Sequence, residues 1–345
     1  MCKTIKNCFY EKLTFENLLR AHDRASEGKK HKKEVILFEM DLETNIIRIM
    51  NEIRDGTYKF GKYREFTVYE PKERIIKSLP YRDRVVHQWY IEEFIKPFFY
   101  CRFISNTYAC LDNRGTHKAV KKTQEFMRIM KRKNNSYYVL KCDIRKYFYS
   151  IDKRILINIL KRNISDKLLL RFSEIILDDG VDIGIPIGNY TSQYFANIYL
   201  NELDHYVKDK LHIKYYIRYM DDFILLLNNK DEAKIILNKI SLFLKYNLNL
   251  SLNKKSKYYP SRYGIDFCGY RIYETHIILR KRFKKKIKKS INVWKYLKNK
   301  NVLDYKKMRL SWNSYLGHAS HANAYNFINK EVNLLNKLNL NNECY

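Results

Sequence analysis

Apolar residues recur along this chain in two rhythms, and the alternation between them predicts its helices and strands. From Thr14 to about Arg24, and again from Leu42 to Arg54, they return every three or four positions. Leu42, Ile46, Ile49 and Ile53 share one face of the second segment, and Gly56 closes it. A basic, polar connection, residues 26–33, separates the two helices. Glu65–Glu70 and Arg74–Leu79 are short β-rich runs joined through Pro71-Lys72-Glu73, which predicts a hairpin with basic residues near its tip. Helical spacing resumes from Arg82 to Phe99, with an interruption expected near Pro97, and from His117 to Lys131 after the turn Asp112-Asn113-Arg114-Gly115.

The second half follows a different order. Tyr137–Ile144 reads as a strand ending in acidic Asp143, and residues 152–162 and 165–177 read as helices. Residues 183–189 form a loop leading into a helix from Thr191 to about Lys208, which Asn189 or Thr191 can cap. Lys214–Arg218 and Phe223–Leu227 are strand-like, Asp231–Tyr246 is an amphipathic helix, and short strands are expected around 248–252 and 265–273. Arg280–Tyr345 reads as wholly helical. Strand, helices, hairpin, helix, strand is an α+β order with a mostly antiparallel sheet.

At 345 residues, 46% of them hydrophobic, the chain is long enough for two or three packed subdomains, since single cores stop growing near roughly 250–300 residues. Five prolines and ten glycines, with no linker-like stretch, argue against tethered domains. The formal charge of +30 favours a polyanionic partner without proving one, because the chain is also rich in Asn, Ile and Tyr, whose codons are A/T-rich like those of Lys, and genomic composition is an alternative source of lysine. None of the seven cysteines forms a C-x-x-C pair, so neither zinc nor a disulfide framework is expected. No segment has the apolar length of a signal peptide core or a membrane span, which leads us to expect a soluble, cytoplasmic protein with no membrane partner.

Tyr219-Met220-Asp221-Asp222 places two adjacent carboxylates between the strand-like runs. An isolated Asp-Asp is commonly a solvated turn. Joined with Asp143 at the end of another strand, it fits a phosphoryl-transfer site, where carboxylates from separate strands hold two Mg²⁺ roughly 3.5–4 Å apart.

These blocks, in this order and over nearly the whole chain, resemble a reverse transcriptase. Tyr219-Met220-Asp221-Asp222 matches the family's Y-x-D-D motif, and Asp143-Ile144-Arg145-Lys146-Tyr147-Phe148 matches its first catalytic motif. The resemblance implies a right-hand polymerase fold: N-terminal extension and fingers over 1–136, palm over 137–279 with the 183–195 loop at the nucleotide pocket, and a basic helical thumb over 280–345. It implies Asp143 and Asp221 as ligands of two Mg²⁺, with the Ile144 carbonyl assisting. Asp222 becomes a supporting charge or occasional ligand. Phe148 becomes a steric gate under the sugar, with a core aromatic as the alternative. Lys72 and Arg74 fall where the family binds triphosphate and base, and Lys254 or Lys255 where it has a proton donor for pyrophosphate, the choice between them open. Phe267-Cys268-Gly269-Tyr270 resembles the primer-grip turn, and Arg280, Lys281, Arg282, Lys284 and Lys285 would face the template–primer duplex. His87, His117 and His318 read as structural or RNA-contacting rather than metal-binding.

Ile187-Gly188-Asn189-Tyr190-Thr191-Ser192-Gln193 narrows the resemblance. Many family members carry Q-G-x-x-x-S-P here, whereas Ile187, Gly188 and Gln193 are similar to the reverse transcriptases of diversity-generating retroelements. Residues 81–88, 108–110, 114–119 and 314–318 agree with that subgroup. It implies a bacterial or phage enzyme that copies a template-repeat RNA into cDNA from dNTPs, misinserts opposite template adenine during mutagenic retrohoming, and works with a small basic accessory variability protein. The length leads us to expect no maturase extension, endonuclease or RNase H domain. A retron or phage-defence reverse transcriptase, a maturase-like protein, and a non-catalytic RNA-binding protein remain the alternatives.

Overall fold

A computed structural model describes residues 4–69 and 73–337. Along the chain the elements are α1 (Phe9–Lys12), α2 (Phe15–Ser26), α3 (Lys33–Glu39), α4 (Leu42–Arg54), β1 (Arg64–Val68), β2 (Arg74–Ser78), α5 (Tyr81–Tyr90), α6 (Lys96–Phe99), α7 (Thr116–Lys133) and β3 (Tyr138–Asp143). There follow α8 (Tyr147–Ser150), α9 (Lys153–Asn163), α10 (Lys167–Leu177), α11 (Tyr190–His205), β4 (Tyr216–Tyr219), β5 (Asp222–Leu227), α12 (Lys230–Leu248) and β6 (Lys257–Pro260). Last come β7 (Ile265–Phe267), β8 (Tyr270–Ile272), β9 (Ile277–Leu279), α13 (Lys281–Asn299), α14 (Tyr305–Ala319) and α15 (Tyr325–Lys337). The strands form a β1-β2 hairpin, a four-stranded sheet in the order β4-β5-β3-β6, and a β7-β8-β9 sheet. The pairs β1–β2, β3–β6, β4–β5, β7–β8 and β8–β9 are all antiparallel. No helix among the described residues is long and apolar enough to cross a membrane.

The chain divides into two compact units, neither of them contiguous. One comprises Met1–Leu111, Cys142–Lys214 and Ile236–Ser256; the other comprises Asp112–Lys141, Tyr215–Ile235 and Lys257–Tyr345. The first is built on aromatic packing: Phe9, Trp89, Phe94 and Phe172 meet at 5.1–5.9 Å between ring centroids. Asp166 ties two helix starts together there. One carboxylate oxygen accepts the Leu168 and Leu169 N–H groups of α10 and the other those of Cys8 and Phe9 at α1, satisfying donors that helix geometry otherwise leaves unpaired. In the second unit, α13, α14 and α15 share a core of Ile287, Ile291, Trp294, Met308, Trp312 and Leu335.

Several local expectations are corrected. The 82–99 helix runs on through Pro97, and its interruption is a π turn at Ile91–Ile95, just before Pro97, the second residue of α6. Residues 248–252 form no strand beyond a single bridge from Leu252 to Ile144, and β3, which lies next to β5 on one side, pairs on the other with β6. Its sequence, Lys-Tyr-Tyr-Pro, shows no clean alternation, and Pro260 is tolerated at the strand end opposite Tyr138. The 265–273 segment is a hairpin, β7–β8, and β9 was not foreseen. Among the described residues, Cys8, Cys101, Cys110, Cys142 and Cys268 form no disulfide.

Candidate active site

The Asp-Asp segment forms a tight hairpin. Tyr219 pairs with Asp222, so Met220 and Asp221 alone connect β4 to β5, with Met220 in the left-handed region at φ 56°. A side chain in that region is uncommon, and its neighbour Arg218 braces it: fully buried, Arg218 donates from its guanidinium to the Met220 carbonyl at 3.1 Å. Asp222, the first residue of β5, receives the Lys141 ammonium at 2.9 Å on each carboxylate oxygen. Lys141 also donates to the Asp266 carbonyl and lies 5.5 Å from the Phe267 ring centroid. One side chain thus joins the Asp-Asp hairpin to the β7–β8 hairpin.

That second hairpin is also a two-residue turn, Cys268 at φ 47° and Gly269 at φ 91°. Its close neighbour is His318. A β-carbon on Gly269 would lie 3.2 Å from the imidazole, so glycine answers both the backbone angle and the approach. His318 stacks on Tyr270 at 4.4 Å and accepts the Tyr270 hydroxyl on its main-chain carbonyl at 2.8 Å. Burial, with His117 and His321 nearby, pushes its imidazole below the ordinary range. His117 stacks on His321 at 3.5 Å. Phe267 is buried, whereas Arg280, Lys281, Arg282 and Lys285 are exposed at the start of α13 and Lys284 sits 5.4 Å from the Phe327 ring centroid.

Asp143 closes β3 within the first unit, held by the turn at 253–256. Asn253 donates its side-chain amide to one Asp143 carboxylate oxygen at 3.0 Å and its N–H to the Asp143 carbonyl at 2.7 Å. Ser256 accepts the Asp143 N–H at 3.2 Å. Lys254 and Lys255 stand exposed on this turn. The adjoining bridge uses the Asp143 carbonyl and the Arg145 N–H, leaving the Ile144 carbonyl outside its ladder. Lys146, at φ 46°, then swings the chain into α8.

In α8 the aromatic run separates by environment: Tyr147 is buried with its hydroxyl on the Ala196 carbonyl, Phe148 is half-buried, and Tyr149 is exposed. The 183–189 loop is pinned on two sides. Ile185 donates to the Phe148 carbonyl at 2.8 Å, and the Ile187 carbonyl accepts the Lys77 N–H of β2 at 2.9 Å. At Gly188, φ is 125° and a β-carbon would come within 2.7 Å of the Lys77 carbonyl oxygen, so no other residue fits without moving the strand. The structure therefore brings Ile187 and Gly188 against the strand that Arg74 begins, and Phe148 against the same loop. Gln193 is exposed on α11, and Lys72 lies outside the described residues. Asn189 occupies the α11 cap position but makes no capping bond, giving its amide instead to the Tyr63 hydroxyl at 2.8 Å. His87 is fully buried; Thr191 meets its Nδ1 at 3.2 Å, its Nε2 has no partner, and burial lowers its pKa to about 3.

Hard oxygen donors, namely the carboxylates of Asp143 and Asp221 and the Ile144 carbonyl, suit Mg²⁺ rather than zinc. No group of three or more His, Cys, Asp or Glu side chains among the described residues is arranged to hold a metal. Lys141, Arg218, Asn253 and Ser256 carry no site role in the sequence reading, and His318 only that of a structural or RNA-contacting residue. For Lys141 a signal existed: two residues before Asp143 on one strand, it shares that residue's face.

The model of the reverse transcriptase (RNA-dependent DNA polymerase) family matches residues 68–272, and the chain belongs to that family. Its elements are α+β with antiparallel strand pairing, as membership of that family leads one to expect. Among curated proteins it is similar to the putative COX1/OXI3 intron 2 protein of Saccharomyces cerevisiae, at 27% identity over 199 residues, covering 39% of this chain and 23% of the relative. It is also similar to Protein YkfC of Escherichia coli, at 24% identity over 290 residues, 70% of this chain and 74% of the relative. Among solved structures, telomerase from Candida albicans, determined with a fragment of telomeric RNA, matches with TM-score 0.46 at 11% identity over 81% of this chain and 57% of that one. Apo telomerase from Candida tropicalis matches with TM-score 0.45 at 14% identity over 67% and 59%. The chain thus spans less than a quarter of the yeast relative and under two thirds of the telomerase chains.

Proposed function

We propose that the chain is an RNA-directed DNA polymerase that extends a primer along an RNA template. The observation that carries this reading is the Tyr219–Asp222 hairpin, which presents Asp221 at its two-residue tip in a sheet whose β3 strand ends at Asp143. Asp143 and Asp221, with the Ile144 carbonyl, would hold two Mg²⁺, which supply a more acidic primer hydroxyl and charge compensation for pyrophosphate. Asn253 orients Asp143, and Arg218 fixes the turn below Asp221. Lys72 would take the triphosphate, Arg74 the base and a phosphate, Phe148 the sugar, and Lys254 or Lys255 would supply a leaving-group proton. Phe267, Gly269 and the basic start of α13 would hold primer and duplex.

The finer reading is a diversity-generating retroelement enzyme, error-prone opposite template adenine and working with a small basic accessory protein. Its support is apolar Ile187, whose loop rests on β2 through the Lys77 bond, in place of a glutamine that would align the sugar. The second reading is a reverse transcriptase of another kind, retron, defence or intron-type, the last of these supported by similarity to the yeast relative, which is named as an intron protein. RNA-templated primer extension by wild type and Asp221→Asn, with products sequenced, tests both. Synthesis abolished in the variant with errors concentrated at template adenine supports the retroelement reading; even-handed copying leaves the second, and equal yield from both proteins removes the polymerase reading.

A further inference from the structure

We propose that Lys141 is a positioning residue that withholds Asp222 from metal coordination, so that the two carboxylates of the Asp-Asp turn do different work. The inference rests on the polymerase reading for the identity of the site, and on geometry for the division of labour. An ammonium has three N–H donors. Here two go to the two oxygens of Asp222, each at 2.9 Å, and one to the Asp266 carbonyl, so the donor set is used up in one arrangement. Both side chains are about a quarter to a third exposed, 24% for Lys141 and 31% for Asp222, which leaves the pair partly shielded from screening by water. For Asp222 to ligate a divalent cation it would have to give up this ion pair or bring the cation against the ammonium, and that repulsion opposes binding. The ammonium spends none of its donors on Asp221, one residue earlier at the tip of the turn.

The same three bonds have a mechanical consequence. Lys141 sits on β3, Asp222 begins β5, and Asp266 belongs to β7, so the ammonium fixes the tip of one hairpin relative to the other. The Phe267 ring, 5.5 Å from the ammonium, closes the site on its fourth side. The turn bearing Asp221 is thereby registered against the turn bearing Gly269, which the function proposed above gives to the primer.

The test is Mn²⁺ binding by the full chain, followed by the electron paramagnetic resonance of free Mn²⁺ without nucleotide, for wild type, Asp221→Asn, Asp222→Asn, Lys141→Met and the Lys141→Met/Asp222→Asn double variant. Lys141→Arg and thermal melting report on folding. Asp221→Asn is expected to weaken binding roughly tenfold or more, the equilibrium weight of about 1.4 kcal/mol, while Asp222→Asn changes it less than about twofold. Lys141→Met is expected to tighten binding several-fold, and the double variant to forfeit that gain, since the freed carboxylate is its source. Equal weakening by Asp222→Asn and Asp221→Asn, or no gain in Lys141→Met, overturns the proposal. Failure of the polymerase reading shows separately, as absence of primer extension by the wild type in a preparation that binds Mn²⁺.

Discussion

Lys141 and Asp222 face each other from neighbouring strands, the ammonium 2.9 Å from both carboxylate oxygens. The pairing makes adjacent aspartates unequal. Asp221→Asn is expected to lower the primer-extension rate by about 10³-fold or more, because the metal contribution is worth several kcal/mol and each 1.36 kcal/mol is tenfold. Asp222→Asn is expected to lower it by roughly 10- to 100-fold, through release of the clamp. Single-turnover extension on an RNA template separates the two; equal reductions would show that both aspartates act alike.

The aromatic run after Asp143 makes a second asymmetry. Phe148→Ala is expected to raise ribonucleotide use relative to deoxynucleotide by about 10- to 100-fold while leaving the melting temperature nearly unchanged. Tyr147→Ala, which removes a buried ring and its bond to Ala196, is expected to destabilise the fold by roughly 3–5 kcal/mol. Competition between labelled rNTP and dNTP, beside denaturant melts, reads both.

Gly188→Ala sets a methyl group 2.7 Å from the Lys77 carbonyl oxygen at a backbone angle that alanine disfavours. The loop must move off β2, and with it Ile187. A reduction of about 10- to 100-fold in kcat/KM for dNTP is expected, from roughly 1–3 kcal/mol of strain, with product error spectra altered. Unchanged kinetics would show that the loop does not shape the nucleotide pocket.

His87 makes stability depend on pH. Its folded pKa is about 3 against an ordinary value near 6.5, so the unfolded chain binds the extra proton between these values. The stabilisation is complete above pH 6.5 and declines as pH falls towards 3, by up to about 1.4 kcal/mol per pH unit. Urea midpoints of wild type should therefore fall between about pH 7 and pH 5 more steeply than those of His87→Gln.

The exposed cations at the head of α13 should act collectively. Replacing Lys281, Arg282 and Lys285 by alanine is expected to weaken binding to an RNA–DNA duplex and flatten its salt dependence by about one unit of slope for each phosphate no longer neutralised. Fluorescence anisotropy over a salt series measures this; parallel slopes would place the duplex elsewhere.

The sequence by itself determined much of this protein. Helices such as Leu42–Arg54, strands such as Tyr138–Asp143 and the turn at Met220-Asp221 were legible because a periodic apolar face or a short acidic turn is a local property of the chain. Lys72, Arg74, Asp143, Phe148 and Asp221 stand out as site candidates for the same reason: each lies in a contiguous motif. What the tertiary structure decided is non-local. The pairing of β3 with β6, the bond from Asn253 to Asp143, 110 positions away, the clamp of Lys141 on Asp222, 81 positions away, and the seating of Gly188 on β2 all depend on which segments the packed core brings side by side. No pattern along a single strand encodes a partner that distant. The identity of the partner is set by the collapse that buries both apolar faces at once, and only there does a surface-type lysine become the counter-ion of an aspartate.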